Sequence, residues 1–299
     1  MTEFKPLEIE DRELFTKYLG DYKFNTYEYS FLTLYLWRKM CNTEFCLMDD
    51  ALIVRKSNKC FGSYYMQPIG YTEKNLEGII SALKQLKSLS SECKNLFRDV
   101  ELPFLNKLKE TFGESLIFRE DTDNFDYIYA SSDLISLSGN KYHRKKNQYN
   151  QFVNKYRYQV KDLYSEGVAL DCIDFSKNWY ENKGDSSFQL KYELESIADI
   201  LTHSDLLNMK GIAVYVDDVL AGFSIGEQVN PEMGVVHIEK GNLEYSGIYS
   251  FINKTMIERC FSEVSFINRQ EDLGIEGLRK AKAAYNPVRL EKKYIVDFV

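Results

Sequence analysis

The 299-residue chain contains no apolar run near the roughly 20 residues that cross a bilayer. Its first residues, Met1-Thr-Glu-Phe-Lys-Pro, lack the apolar core of a secretory signal. The expected location is therefore the cytoplasm, with no integral membrane segment and at most a peripheral membrane contact. Proline is scarce, at five residues, and no Gly/Ser-rich stretch interrupts the chain, which excludes a long disordered linker. Six cysteines (Cys41, Cys46, Cys60, Cys93, Cys172 and Cys260) are scattered with no C-x-x-C pair. They read as reduced thiols, not as a disulfide framework. The three histidines lie far apart in sequence, and no metal site is expected. Neither a Walker loop nor a G-x-G-x-x-G fingerprint is present. The net charge of −7 argues against a protein coated in nucleic acid, but leaves room for one basic patch.

Aromatic surface, by contrast, is plentiful. The 22 Tyr and 19 Phe are enough to fill two cores and line a cleft. The length suits two domains of about 100–200 residues each. Two hairpin signals organise them. Glu44–Met48 and Ala51–Lys56 are strand-like runs joined at Asp49-Asp50, and 211–216 and 219–226 are joined at Asp217-Asp218. Aspartate tolerates the positive φ of a tight hairpin turn. Two helix-like segments precede each hairpin (12–18 and 29–40; 175–182 and 187–203). After the first come a strand near 61–67, a helix near 75–89, a strand at 96–100, a helix near 102–112 and a strand near 115–119. After the second come a strand at 234–240, a helix near 249–261, a strand at 264–268, a helix at 275–285 and a strand near 289–298. The same order occurs twice, so the halves read as diverged copies of one α/β (α+β) fold. Each copy is a mixed sheet with helices on both faces, resembling the GCN5-related N-acetyltransferase fold in tandem. The expected domains are 1–130, a basic connecting helix over 131–165, and 166–299.

That connecting stretch, Lys141 to Lys161, carries seven Lys/Arg and no acidic residue. Tyr142, Tyr149, Phe152, Val153 and Tyr156 recur at helical spacing, giving an amphipathic helix with an aromatic stripe and a basic face. Two readings stand side by side. Arg144, Lys145 and Lys146 would meet the phosphates of a carrier or RNA end, or the basic face is simply solvated. The stripe reads as core.

Four segments carry a family resemblance: Tyr27 to Arg38 (YEYSFLTLYLWR), Leu137 to Asn147 (LSGNKYHRKKN), Val236 to Asn242 (VHIEKGN) and Phe266 to Lys282 (FINRQEDLGIEGLRKAK). Through them nearly the whole chain resembles the phosphatidylglycerol lysyltransferase C-terminal domain family. Those enzymes are tandem acyltransferase-fold proteins that move an aminoacyl group from tRNA to a lipid headgroup. The resemblance implies aminoacyl or acyl transfer in the second half, with aminoacyl-tRNA or acyl-CoA as co-substrate and tRNA contact through the basic helix. The absence of a membrane-spanning stretch departs from that pattern and leaves the acceptor open. Two alternatives stand beside the enzyme: a binding module for a phosphorylated ligand or tRNA, and a small-molecule N-acetyltransferase.

Chemistry by residue follows from what acyl transfer needs. Glu239, on a strand-like run, is the candidate base, with Lys240 beside it as a candidate substrate- or phosphate-binding cation. His237 shares its face and reads more readily as a hydrogen-bonded core histidine. The loop from Lys240 to Gly247 leads into a helix, where Gly241 and Gly247 would expose backbone N–H groups to a pyrophosphate; Glu244 opposes that. At the next strand end, Asn268 would donate to an oxyanion and Arg269 would hold a phosphate or carboxylate, while Asp272 is either part of the cluster or a helix cap. Lys282, in Ala-Lys-Ala-Ala-Tyr, resembles the lysine of the Phe-Lys-x-x-Phe element of these transferases, which steadies the acyl carbonyl. Trp37 and Arg38 read as packing residues.

Overall fold

A computed structural model describes residues 3–20, 24–59, 61–183 and 188–299. The chain divides into two compact units, 1–125 with 291–299, and 126–290.

In the first unit, β1 (Lys5–Pro6), α1 (Arg12–Leu19) and α2 (Phe31–Trp37) lead into β2 (Glu44–Met48), β3 (Ala51–Asn58) and β4 (Gly62–Tyr65). Then come α3 (Leu76–Ser88), β5 (Phe97–Val100), α4 (Leu102–Phe112) and β6 (Leu116–Glu120). The second unit opens with β7 (Asp126–Ala130), α5 (Ser131–Ser136), α6 (His143–Lys155) and β8 (Tyr158–Asp162). It continues through α7 (Val168–Lys183), α8 (Phe188–Thr202), β9 (Met209–Val216), β10 (Val219–Asn230), β11 (Met233–Gly241), α9 (Ile248–Cys260), β12 (Phe266–Asn268), α10 (Glu276–Ala283) and β13 (Arg289–Glu291). The final strand, β14 (Tyr294–Phe298), returns to the first unit.

Both hairpin turns form as their aspartates dictate. Asp49 and Asp50 have φ of 47° and 63°, and Asp217 and Asp218 have 48° and 65°, the left-handed pair of a type I′ turn. These turns fix register, pairing Met48 with Ala51 and Val216 with Val219.

The first sheet runs β1-β2-β3-β4-β5-β14-β6 and the second β13-β7-β12-β11-β10-β9-β8. The two share one plan, with a twist that corrects the expected domain bounds. β7 follows β6 in the chain but pairs antiparallel with β12. β14 follows β13 but sits between β5 and β6, antiparallel to both. Each sheet thus completes itself with a strand from the end of the other half. The segment expected as one strand near 289–298 is two strands in different sheets, and the segment after Ala130 is integral to the second unit, not a connector.

The basic segment is likewise shorter as a helix than expected. It ends at Lys155, and the alternating Tyr-Gln-Val that follows forms edge strand β8 on β9. Its aromatic stripe is core: Phe152 is fully buried and lies 4.4 Å from Phe251 of α9, ring to ring. Around them pack Ile252, Met256, Ile257 and Phe261. Apolar burial of this kind contributes about 25 cal/mol per Å².

One feature of the second sheet positions everything that follows. β11 and β12 pair in parallel only over Met233–Val235 and Phe266–Asn268. Beyond Val235 β11 runs on to Gly241 while β12 has ended, so the two strands part. A register shift between Ile225 and Gly226 of β10 leaves His237 as the extra residue of a bulge.

Candidate active site

The polar groups of the second unit gather where β11 and β12 part. Glu239, on β11, accepts from Arg269 Nη2 at 3.1 Å through Oε1 and from Asn253 Nδ2 of α9 at 3.4 Å through Oε2. The Glu239 and Arg269 side chains are only 13% and 14% exposed. Burial, the largest single influence, pulls the Arg269 pKa down, but the Glu239 carboxylate together with Tyr129 and Tyr285 more than offsets it, so the guanidinium stays charged. Its plane lies 4.9 Å from the Tyr285 ring and 5.9 Å from that of Tyr129. Two buried atoms here have no hydrogen-bond partner among the described residues: Arg269 Nη1, a donor, and Asn253 Oδ1, an acceptor.

Lys145 reaches the same place from α6. Its ammonium lies 4.0 Å above the Tyr285 ring. Burial, then the charges of Arg269 and Arg144, push its pKa down to about 8, with Glu239 opposing.

The turn after β12 holds Arg269 in place. Gln270 has φ of 61°. Its backbone N–H donates to Asn268 Oδ1 at 2.7 Å, and its side-chain amide lies 2.9 Å from His237 Nδ1. His237 Nε2 lies 2.9 Å from Glu227. With Gln270 donating to Nδ1, His237 carries its proton on Nε2 and donates to the Glu227 carboxylate. Lys282 donates to the carbonyl oxygens of Arg269 and, at 3.1 Å, Gln270.

Glu239, Arg269, Lys282 and Lys145 are therefore brought together, but several expected roles change. Asn268 is fully buried and its amide donates to Asp126 at 2.7 Å, so it orders the turn instead of facing an oxyanion. The Lys282 amine is engaged with backbone carbonyls. Lys240 points to the opposite face of β11, as strand alternation requires. There it pairs with Glu193 of α8 at 2.9 Å and lies 4.2 Å from the Trp179 ring, away from Glu239. Asp272 is no side-chain cap for α10; it accepts from Tyr127 and from both arms of Arg279, which hold its carboxyl near 2.

The anticipated pyrophosphate loop is filled by the chain itself. Gly247 caps α9 with φ of 84°, and a Cβ there would lie 2.0 Å from the Gln148 carbonyl oxygen of α6. The Ser246 N–H donates to Tyr156 Oη at 3.0 Å. The Gly241 carbonyl accepts from Trp179 Nε1 at 3.3 Å. The Gln148 carbonyl thus crowds Gly247, and Tyr156 takes the Ser246 N–H, where a phosphate was expected. Arg144 and Lys146 lie exposed on α6. Asn253, Tyr285 and Tyr129 were not legible as site residues, because only the tertiary fold brings α9, the segment after α10 and β7 to Glu239.

The family model for the C-terminal region of phosphatidylglycerol lysyltransferase matches residues 20–297. The chain belongs to that family. A conserved protein of unknown function from Bacteroides thetaiotaomicron is 30% identical, with a TM-score of 0.89 and complete coverage of both chains. The C-terminal domain of a putative lysylphosphatidylglycerol synthetase from Agrobacterium fabrum is 12% identical over 96% of this chain and 91% of its own, with a TM-score of 0.67. A tandem GNAT protein from the clavulanic acid biosynthesis pathway reaches a TM-score of 0.53 at 9% identity, covering 99% of this chain and 97% of its own. The fold is that of tandem GCN5-related acyltransferases, and family and fold together support a general acyltransferase-like role. Among the described residues, no helix is long and apolar enough to cross a membrane.

Proposed function

We propose that the second unit transfers an α-aminoacyl group from a tRNA-type carrier to an amine or hydroxyl acceptor. The observation that carries this reading is the unpartnered pair around Glu239. A buried donor, Arg269 Nη1, and a buried acceptor, Asn253 Oδ1, each cost about 1–3 kcal/mol while unsatisfied. A simple acetyl group would satisfy only the donor, through its carbonyl. An α-aminoacyl group would satisfy both, its carbonyl at Arg269 and its ammonium at Asn253 Oδ1 and Glu239. Sites with buried polar groups of this kind discriminate strongly against ligands that leave them unpaired.

Two further features support the carrier. The α9 N-terminus, where a coenzyme's pyrophosphate would rest, is occupied by Gln148 and Tyr156. Arg144 and Lys146, exposed on α6, could follow a nucleic-acid backbone. The family's name points to the same class of transfer, with a lipid headgroup as one acceptor and a peripheral membrane contact as its corollary. A second reading, a binding module without turnover, is favoured by one observation: both oxygens of Glu239 are already hydrogen-bonded.

The test is equilibrium binding of aminoacylated tRNA, the same tRNA uncharged, and acetyl-coenzyme A. Charged tRNA should bind at least about tenfold tighter than uncharged, and Arg269→Met should erase the difference. Equal affinities for charged and uncharged tRNA would defeat the proposal.

A further inference from the structure

Acyl transfer needs a group that accepts the acceptor's proton as the new bond forms. Glu239 is badly placed to be that group. Its oxygens take hydrogen bonds from Arg269 and Asn253, and protonating it would break a largely buried ion pair.

Lys145 is placed in the opposite way. It is half-buried, and among the described residues it makes neither a hydrogen bond nor an ion pair; its ammonium rests on the Tyr285 ring. Arg269 shares that ring from the turn after β12. The groups acting on it are Arg269, Arg144 of its own helix and Glu239 of β11, with Tyr285 beneath. Two cations thus stand against one carboxylate, and that carboxylate is already committed to Arg269.

We propose that Lys145, and not Glu239, is the base of the transfer, with Glu239 serving to hold Arg269 and the substrate ammonium. This deepens the aminoacyl-transfer reading and rests on it. The neutral Lys145 amine takes a proton from the acceptor's N–H or O–H as that atom bonds to the acyl carbon. The carbonyl electrons collect on oxygen beside Arg269. They return as the ester C–O bond breaks, and the Lys145 ammonium gives its proton to the departing hydroxyl oxygen. The amine ends as it began. A pKa of about 8 leaves roughly a tenth of Lys145 neutral at pH 7, a workable fraction for a base.

The experiment uses the full chain, tRNA charged with a mixture of labelled amino acids as donor, and glycerol, whose hydroxyls do not titrate in the range followed, as acceptor. Single-turnover transfer is followed from about pH 6 to about pH 9, with Lys145→Arg, Lys145→Met and Glu239→Gln alongside. The wild-type rate should climb to a plateau with a midpoint near 8. Lys145→Arg, which keeps the charge, should still bind charged tRNA but lose about 100-fold in rate and the climb itself. Glu239→Gln should be slower yet keep the climb. A climb that survives Lys145→Arg, or vanishes in Glu239→Gln alone, overturns the assignment while leaving aminoacyl transfer intact. Wild-type protein that binds charged tRNA but yields no product overturns both. Competitive acetylation with acetic anhydride, read lysine by lysine by mass spectrometry, gives an independent check. Lys145 should titrate well below the surface lysines, and a midpoint shared with them defeats the proposal.

Discussion

Arg98 in the first unit and Arg269 in the second occupy the same station, the residue after the last parallel pair of its sheet, Tyr65 with Phe97 and Val235 with Asn268. Each is followed by a residue of positive φ, Asp99 at 57° and Gln270 at 61°. Their surroundings have diverged. Arg98 pairs with Asp121 at 2.6 Å and lies 3.7 Å from the Phe61 ring; Lys56 pairs with Asp99 at 3.5 Å and Lys293 with Glu28. All six charged side chains are buried. Around Glu239 in the second unit, Arg269 and Lys145 face one carboxylate; among the described residues, Arg269 Nη1 has no hydrogen-bond partner and Lys145 no ion pair. The first copy sets these charges in three ion pairs, while the second keeps the cation excess that the proposed aminoacyl ligand would meet. The first half thus holds a buried polar cluster of its own, built from Arg98–Asp121, Lys56–Asp99 and Lys293–Glu28.

The largest effect should separate these fates. Lys293→Met strands the Glu28 carboxylate in the core and should remove about 3–5 kcal/mol in urea unfolding, with no selective loss of charged-tRNA binding. Arg269→Met should do the reverse, with a smaller stability loss of about 1–2 kcal/mol and loss of binding. Equal behaviour of the two would dissolve the contrast.

Next in size, Gly247→Ala sets a Cβ against the Gln148 carbonyl at positive φ and should cost about 1–3 kcal/mol; Gly167→Ala, at the matching position before α7 and also at positive φ but in open space, should cost only about 1. Similar values would mean that α6 yields easily from the α9 terminus.

The units should also differ with pH. Burial raises the Glu101 carboxyl of the first unit to about 7, against the hydrogen bonds from Thr26 and Asn25 that favour its charged form. The folded state therefore keeps a proton that the unfolded chain releases near 4.5. Stability contributed at Glu101 should fall as pH rises from about 4.5 to 7, by about 1–3 kcal/mol, and then level. Lys145, lowered to about 8, acts the other way, adding stability as pH rises from about 8 toward its ordinary 10.5. Chemical denaturation across pH, with Glu101→Gln removing the first slope and Lys145→Met the second, checks both signs.

The smallest effect probes what the copies still share. Asp50→Gly and Asp218→Gly relieve a left-handed side chain at the second turn position and should each stabilise by about 0.5 kcal/mol. Unequal gains would show that the hairpins no longer play equivalent parts.

Much of the fold was legible because its signals are local. Asp-Asp between alternating runs specified two hairpins, and apolar spacing specified α3, α4 and α9 within a residue or two. Glu239 and Arg269 were legible as strand-end polar residues. What the sequence concealed is non-local. Nothing in Asp-Tyr-Ile-Tyr-Ala or Tyr-Ile-Val-Asp-Phe tells which sheet each strand enters. Asn268 and Arg269 are neighbours of similar polarity, yet one is tied to Asp126 and the other opens toward Glu239. Lys240 lies away from Glu239 because adjacency in sequence is opposition on a strand, and the basic residues that run on past Lys155 mask the strand alternation of Tyr158-Gln-Val.

The exchange of end strands bears on how the protein is made. β14 fills the gap between β5 and β6, so a growing chain that has emerged as far as β6 still has two unsatisfied strand edges flanking an empty lane. They must wait for the whole second unit before that lane is filled. The first half is thus the last to finish folding although it is the first to leave the ribosome. Between those moments its open lane is where a chaperone would hold it, or where a second nascent chain would wrongly insert.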